Sequence, residues 1–117
     1  AAPQAGAGEG LEPRLKQTLD AYVAANKVVC FIKGDKQQPK CGFSNTVVQI
    51  LKACECDFDA VDVLASPDLR TAMKVYSDWP TFPQVYIDGE FYGGCDILME
   101  AYESGDLQET IERILNE

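Results

Sequence analysis

One cysteine, Cys41, stands where this sequence concentrates its chemistry, in the segment KGDKQQPKCGFS at residues 33–44. A β-branched run precedes the segment at residues 28–32 and a helical pattern follows at residues 46–52, so a polar loop delivers the cysteine to the start of a helix. The first N–H groups of a helix are unpaired and carry partial positive charge, which favours a sulfur there as thiolate. A thiolate is the form that attacks disulfides and binds metal ions.

The motif around Cys41 reads C-x-x-S, because Ser44 occupies the place of the second cysteine in a dithiol redox site. Serine cannot form a disulfide with Cys41, although a serine in a first helical turn is also an ordinary structural residue. The loop at residues 35–39 lengthens the approach to the helix and is expected to hold Cys41 away from a resolving partner. The sequence therefore predicts one activated thiol at this helix start.

Composition narrows the possible partners. Nineteen acidic and ten basic residues give the 117-residue chain a formal net charge of −9, which argues against a general attraction to nucleic acid. No apolar run approaches the ~20 residues that cross a bilayer, so no membrane partner is expected. A chain of this length suits one domain with its own core.

The absence of histidine removes several kinds of site at once. Cys-His and Ser-His catalysis, histidine-containing zinc sites and haem ligation by histidine are all excluded. The five cysteines form an odd set and no secretory signal is apparent, so a structural disulfide framework is not expected and the compartment is predicted to be reducing.

Residues 1–10, AAPQAGAGEG, show no periodic apolar face and are predicted to be a flexible leader outside the fold. Both the remnant of a targeting peptide and an arbitrary cut of a longer chain fit this segment. The folded domain is expected to span residues 11–117.

The rest of the chain alternates between helical and strand patterns. Apolar residues at every fourth position predict the first helix, and continuous apolar or β-branched runs predict strands. The predicted helices cover about 12–25, 43–54 and 67–77, one that begins near 95, and one that runs from about 106 to 115. The predicted strands cover 28–32, 58–63, 84–87 and 90–92.

Signals at the element ends support these boundaries. Ser66 is placed to cap the third helix, and Pro67 suits its first position. Gly105 should end the fourth helix, and Asp106 with Glu109 resembles a capping box for the last one. The order is α-β-α-β-α-β-β-α-α, which favours a four-stranded mixed sheet flanked by helices, with its first two strands parallel and its last two antiparallel.

This α/β order, with a cysteine at the first β-α junction and Thr-Phe-Pro before the third strand, resembles the thioredoxin fold. More narrowly, three features resemble a CGFS-type monothiol glutaredoxin: the block KGDKQQPKCGFSNTVVQIL, the block SDWPTFPQVYIDGEFYGGCDI and the Leu69-Arg70 pair. The likeness extends over residues 11–117. Three separated blocks in the right order make it much more specific than C-x-x-S alone.

The resemblance implies a glutathione-ligated [2Fe-2S] cluster held between two subunits. Each subunit would contribute the thiolate of Cys41, and each of two glutathione molecules would contribute another, so a homodimer would form around the cluster. Cluster transfer to apo iron–sulfur acceptor proteins, and association with BolA-type proteins, are the partner expectations that follow. Four-thiolate ligation suits a chain without histidine.

The resemblance also carries a set of glutathione contacts onto this sequence. Two cations would hold the glycine carboxylate, the backbone before a cis-proline would pair with the cysteinyl unit, and a backbone turn with its aspartate would hold the γ-glutamyl end. In that order the residues are Lys33 and Arg70, then Phe82 before Pro83, then Cys95 and Asp96. These types suit an anionic, extended tripeptide.

Alternatives remain for activity and location. Cys41 alone would suffice as the nucleophile of a thiol–disulfide oxidoreductase that removes glutathione from protein mixed disulfides, with a second glutathione resolving the intermediate. Glycine at position 42, where dithiol glutaredoxins carry proline, together with the missing second cysteine, favours the iron–sulfur carrier and only weak oxidoreductase activity. The chloroplast stroma is the expected location, with the mitochondrial matrix as the alternative.

The other cysteines have different expected roles. Cys95 is expected to lend its backbone N–H to glutathione, and a reversible disulfide with Cys41 is the alternative. Cys54 and Cys56 lack C-x-x-C spacing and lie where a helix should end, while Cys30 belongs to a buried strand. These three are predicted to be structural.

Overall fold

The computed structural model describes residues 10–116, so residues 1–9 of the predicted leader lie outside the described residues. All nine predicted elements are present in the predicted order. The helices are α1 (Pro13–Ala25), α2 (Gly42–Ala53), α3 (Pro67–Ser77), α4 (Cys95–Ser104) and α5 (Asp106–Leu115). The strands are β1 (Val28–Ile32), β2 (Asp59–Asp62), β3 (Gln84–Ile87) and β4 (Glu90–Gly93).

The four strands form one mixed sheet in the order β2-β1-β3-β4. β1 pairs with β2 in parallel and β3 with β4 antiparallel, as the sequence predicted, and β1 also pairs antiparallel with β3. Every residue of β1 is buried, because this strand is central and covered on both faces. This position explains its unbroken apolar sequence.

Alternate residues of β1 enter two hydrophobic clusters on opposite faces of the sheet. Val28, Cys30 and Ile32 pack with residues of α2, α4 and α5. Val29 and Phe31 pack with residues of α1 and α3. The period-two alternation of a strand thus produces three layers, with three helices on one side of the sheet and two on the other.

The helix ends follow the sequence at α3 and depart from it at α5. Ser66 caps α3, accepting a hydrogen bond from the N–H of Leu69 at 3.2 Å. The predicted capping box at Asp106 is wrong: the cap residue of α5 is Gly105, which has no side chain, and the Asp106 N–H donates to Ser104 Oγ at 3.3 Å. Gly105 has φ +91°, so it ends α4 and begins α5 in a single residue and makes Asp106 the first helical residue.

Chain direction brings three strand ends to one edge of the sheet. β1 ends there, and β3 begins there because the two strands are antiparallel, with Phe31 opposite Gln84. β4 ends beside the start of β3, with Gly93 opposite Val85. The loop to α2, the segment before β3 and the start of α4 therefore meet at this edge.

Candidate functional site

Cys41 is the cap residue of α2, and its sulfur accepts the kind of hydrogen bond that a side-chain oxygen accepts in most helix caps. Its backbone is extended, with φ −149° and ψ 158°, and its Sγ accepts a hydrogen bond from the N–H of Ser44 at 3.3 Å. Ser, Thr, Asp and Asn are the usual residues at this position. The prediction that the loop delivers a sulfur to unpaired helix N–H groups is confirmed.

Ser44 connects this sulfur to the end of the central strand. Its hydroxyl oxygen lies 3.2 Å from Cys41 Sγ and accepts a hydrogen bond from the backbone N–H of Lys33 at 3.1 Å. Since the oxygen is engaged as an acceptor by Lys33, its proton is available to donate to a Cys41 thiolate. Ser44 is fully buried, which fixes this geometry. From the sequence alone, Ser44 was notable only because it cannot form a disulfide with Cys41.

These contacts lower the pKa of Cys41 below the ordinary thiol value. Partial burial is the largest single influence and acts in the opposite direction, because it disfavours the charged form. The hydroxyl and N–H of Ser44, the charge of Lys33 and the N–H of Phe43 together outweigh it. The surroundings of Cys41 therefore favour loss of its thiol proton to form the thiolate.

A groove of about 680 Å³ opens beside this helix start. All five residues predicted to contact glutathione line it: Lys33, Arg70, Phe82, Cys95 and Asp96. Phe43, which is 64% exposed, lines the groove two residues after Cys41, whereas Cys41 itself is not a lining residue. The fold thus brings together residues that lie up to 63 positions apart in the sequence (33 to 96).

One wall of the groove carries positive charge. Lys33 follows β1, and Arg70 and Lys74 lie one turn apart on α3. Arg70 Nε is buried and has no hydrogen-bond partner within residues 10–116. A buried N–H without a partner is costly, and a guanidinium in this state is suited to an incoming carboxylate.

Another part of the groove wall is the start of α4. Gly94 is the cap residue of this helix and provides no side-chain acceptor, so the first backbone N–H groups face the groove edge uncapped. A Cβ on Gly94 would lie 3.4 Å from the Pro83 carbonyl oxygen and 3.5 Å from Trp79 Nε1, which is van der Waals contact, so Gly94 packs closely beside this segment. The helix start suits an anion, and the exposed Asp96 carboxylate beside it suits an ammonium group.

Cys95 lies in this wall as a buried, protonated thiol. Its Sγ is 3.8 Å from the Met99 sulfur, one turn further along α4. Burial, and then the negative charges of Asp96 and Cys41, raise the pKa of Cys95. These properties agree with a role for its backbone, and a disulfide with Cys41 stays a prediction.

The remaining cysteines pack against the core. Burial raises the pKa of Cys30 to about 12 and also raises those of Cys54 and Cys56. Within residues 10–116, no group of three or more metal-ligating side chains comes together. Cys54 and Cys56 are partly buried against the cluster that contains Cys30.

Several groove residues were not assigned to the site from the sequence, and Phe43, Lys74 and Trp79 are the largest side chains among them. Phe43 belongs to the C-x-x-S motif, Lys74 lies one turn after Arg70 on α3, and Trp79 lies just before the Thr-Phe-Pro segment. Trp79 packs on Phe91, with ring centroids 5.5 Å apart, and it lines the groove as well.

The peptide bond between Phe82 and Pro83 is cis, as the resemblance implied. The part of the chain that the structure describes contains no helix long and apolar enough to span a bilayer.

Comparison with known proteins identifies close relatives. The sequence profile of the glutaredoxin family matches residues 28–92, more than half of the chain. Monothiol glutaredoxin-S7, chloroplastic, from Oryza sativa subsp. japonica is 57% identical over 111 residues, and monothiol glutaredoxin-S14, chloroplastic, from Arabidopsis thaliana is 54% identical over 105 residues. These matches cover 95% and 90% of this chain, which spans 66% and 61% of the length of the two relatives.

A shorter relative matches over nearly its whole length. An uncharacterized monothiol glutaredoxin of Synechocystis is 52% identical over 102 residues, which make up 87% of this chain and 95% of the relative.

Solved structures agree with these relatives. The solution structure of reduced poplar apo GrxS14 is 57% identical and superposes with a TM-score of 0.77, over 88% of this chain and 94% of the poplar chain. A buckwheat glutaredoxin–glutathione complex is 23% identical, with a TM-score of 0.74 over 86% of this chain and 89% of that one, and shares the fold. The predicted thioredoxin-like fold is confirmed, and the chain belongs to the monothiol glutaredoxin family.

Proposed function

We propose that this monothiol glutaredoxin binds glutathione in the groove and carries a [2Fe-2S] cluster between two subunits, each supplying Cys41 and one glutathione. One observation carries the proposal: a low-pKa thiol without a cysteine at position 44 lies beside a groove whose Arg70 Nε has no partner within the described residues. The groove supplies charge for the tripeptide, and the thiol supplies a soft ligand for iron.

The donors of the groove fit glutathione from end to end. Lys33 and Arg70 would hold the glycine carboxylate, Arg70 through two parallel N–H bonds. The Phe82 backbone would pair with the cysteinyl unit as an added strand does. The start of α4 would receive the γ-glutamyl carboxylate, while Asp96 would receive the ammonium group. A buckwheat protein of the same fold has been solved in complex with glutathione, which supports this assignment.

Cys41 is the thiol best suited to hold the cluster as cargo. Its pKa is lowered, whereas those of Cys30, Cys54, Cys56 and Cys95 are raised, and a thiol must lose its proton to bind iron. One such thiolate per subunit, with one from each glutathione, makes the four ligands of a [2Fe-2S] site. The exposed side chains of Phe43 and Ile97, which line the groove, offer apolar surface to a second subunit.

The proposed partners follow from exchange of thiolate ligands. An apo iron–sulfur acceptor protein would take the cluster by replacing Cys41 and glutathione with its own ligands, and a BolA-type protein would replace one subunit of the homodimer. The proposed location is the chloroplast stroma, in keeping with the names of the rice and Arabidopsis relatives.

Anaerobic reconstitution with iron, sulfide and glutathione tests the carrier function. We expect visible absorption from the cluster and a dimer by native mass spectrometry, which should appear and disappear together. Omission of glutathione should prevent both. Cys41→Ser should remove the cluster and the dimer, and Cys54→Ser is the matched control that should keep them. A monomer without visible absorption in the unaltered chain would refute the proposal.

The alternative function is reduction of protein–glutathione mixed disulfides, favoured by the lowered pKa of Cys41. The Cys41 thiolate would attack the glutathione sulfur, form a Cys41–glutathione disulfide and release the protein as a thiolate. A second glutathione thiolate would then release Cys41 and leave as glutathione disulfide. A glutathione-coupled assay on a mixed disulfide separates the functions: weak turnover agrees with the carrier, and rapid turnover with the enzyme.

A further inference from the structure

Buried polar side chains are scarce in this fold, and each should have a reason. Within residues 10–116 the buried polar or charged residues are Ser44, Ser77 and Gln84. The Ser77 hydroxyl donates to the Met73 carbonyl of its own helix at 2.8 Å, and the Ser44 hydroxyl lies 3.2 Å from the Cys41 sulfur. Burying a polar group costs free energy unless it is hydrogen-bonded, so Gln84 calls for an account of its own.

The Gln84 amide is fully buried and directed at the segment that forms the groove wall. Its Nε2 donates to the carbonyl oxygens of Trp79 at 3.3 Å and Thr81 at 3.2 Å. Its Oε1 accepts a hydrogen bond from the Tyr86 hydroxyl at 3.3 Å. Both amide donors are therefore used on one segment, and Tyr86 sets which end of the amide faces it.

The segment from Trp79 to Pro83 has no regular secondary structure, and its two ends are held by packing: Trp79 packs on Phe91 and the Phe82 side chain is buried in the core. Pro80 and Pro83 have no backbone N–H, so they cannot donate to neighbouring strands. Thr81 and Pro80 are exposed, whereas Gln84 is anchored at the start of β3 opposite Phe31. The Gln84 side chain is thus a link between the rigid central sheet and this wall of the groove.

The bond to Thr81 fixes the direction of the next backbone donor. The peptide bond between Thr81 and Phe82 is trans, because the cis bond is the one that follows it. In a planar trans peptide the C=O and the N–H point in opposite directions. Since the Thr81 carbonyl points inward to Gln84, the Phe82 N–H points away from Gln84, and Phe82 lines the groove.

We infer that Gln84 is a positioning residue for ligand binding: its amide holds the Thr81–Phe82 peptide so that the Phe82 N–H faces the cysteinyl unit of glutathione. The inference depends on the proposed glutathione site. It adds a residue that contacts neither the tripeptide nor Cys41. Without the amide, the segment would lose two hydrogen bonds, and the Phe82 donor would have to be ordered at the moment of binding, which weakens affinity.

Gln84→Met tests this role, because methionine is similar in length and unbranched but lacks both donors. The probe is S-methylglutathione, titrated by calorimetry into the apo protein, which separates binding from thiol chemistry. Loss of two peptide hydrogen bonds should weaken binding about tenfold. The pH profile of Cys41 alkylation by iodoacetamide should not move, because its contacts with Ser44 and Lys33 are elsewhere.

Asn26→Leu is the matched control, since it also removes a side-chain amide that donates to a backbone carbonyl, that of Tyr22 at 2.9 Å, but before the start of β1 and away from the groove. It should lower stability and leave the affinity for S-methylglutathione unchanged. Equal affinity in the unaltered chain and in folded Gln84→Met would overturn the inference alone. Failure of the unaltered chain to bind S-methylglutathione would overturn the proposed glutathione site and the inference with it.

A measurement on the unaltered chain covers the case in which Gln84→Met does not fold. By NMR, the Gln84 side-chain amide protons should exchange slowly with solvent, and the Phe82 amide resonance should shift when S-methylglutathione is added. Rapid exchange of those side-chain protons, or a Phe82 amide that does not respond while the rest of the groove does, would overturn the inference.

Discussion

Two cysteines stand at the starts of two helices on the same groove, and their thiols have opposite character. Cys41 caps α2 and has a lowered pKa, whereas Cys95 is the first residue of α4 and has a raised pKa. Both are near the positive end of a helix dipole, so the dipole alone does not decide which thiol ionises.

Hydrogen-bond donors and local charge make the difference. The Cys41 sulfur receives the N–H of Ser44, lies within reach of its hydroxyl, and feels the positive charge of Lys33. The Cys95 sulfur is more deeply buried, has Met99 as its neighbour and feels the negative charge of Asp96. A helix start therefore activates a thiol when the sulfur occupies the cap position and donors point at it.

The largest expected contrast between the two is in cluster binding. Cys95→Ser keeps the backbone N–H that the proposed glutathione site uses, so it should retain the reconstituted [2Fe-2S] absorption and the dimer. Cys41→Ser should lose both completely, because it removes the one low-pKa thiol. Visible spectra and native mass spectra of the two variants make the comparison. Loss of the cluster in Cys95→Ser, with the fold intact by circular dichroism, would mean that the Cys95 thiol is itself a ligand.

The next contrast concerns the donor that Cys41 has and Cys95 lacks. Ser44→Ala should raise the pKa of Cys41, because a hydrogen bond to a charged sulfur is worth about 1.5–3 kcal/mol. At neutral pH the alkylation of Cys41 should slow about tenfold. Ser44→Thr keeps the hydroxyl and should restore the rate. An alkylation profile that is the same in Ser44→Ala and the unaltered chain would show that the serine only fills space.

The difference between these thiols also shows what could be predicted from the sequence. The element order followed from apolar periodicity, which is a local property, whereas the grouping of the site residues followed from the resemblance to monothiol glutaredoxins. The contact of Ser44 with the Lys33 N–H, and that of Gln84 with the Trp79 and Thr81 carbonyls, depend on how separate segments pack. Residue types at fixed spacing do not specify such contacts.

The one wrong boundary signal has a similar cause. Asp106 and Glu109 have the spacing of a capping box, but Gly105 takes the cap position because its left-handed backbone lets α5 follow α4 directly. Asp106 still lies in the first turn, where a carboxylate is favoured by the helix dipole. The pattern was correct about a helix start and wrong by one residue about which residue caps it.

A smaller effect is expected from the charge beside Cys95. Asp96→Asn removes a negative neighbour, so the pKa of Cys95 should fall and its alkylation should speed up a few-fold. The experiment uses a Cys41→Ser background, in which peptide mass spectrometry assigns the modification to Cys95. Glu100→Gln, further along the same helix, is the control and should change little. Unaltered alkylation in Asp96→Asn would indicate that burial alone keeps this thiol protonated.

The smallest expected effect is the pH dependence of stability, and its sign should be opposite for the two cysteines. The pKa of Cys41 is lower in the folded than in the unfolded chain, so its contribution to the free energy of unfolding is present above the ordinary thiol value of 9.0 and is lost as the pH falls through the folded value. The pKa of Cys95 is higher in the folded chain, so its contribution is present below 9.0 and is lost as the pH rises.

Urea unfolding with reductant between about pH 6 and pH 10 measures both contributions. The stability difference between the unaltered chain and Cys41→Ser should therefore grow with pH, and the difference from Cys95→Ser should shrink. Parallel curves for the two variants would contradict the assignment of opposite pKa shifts to these helix starts.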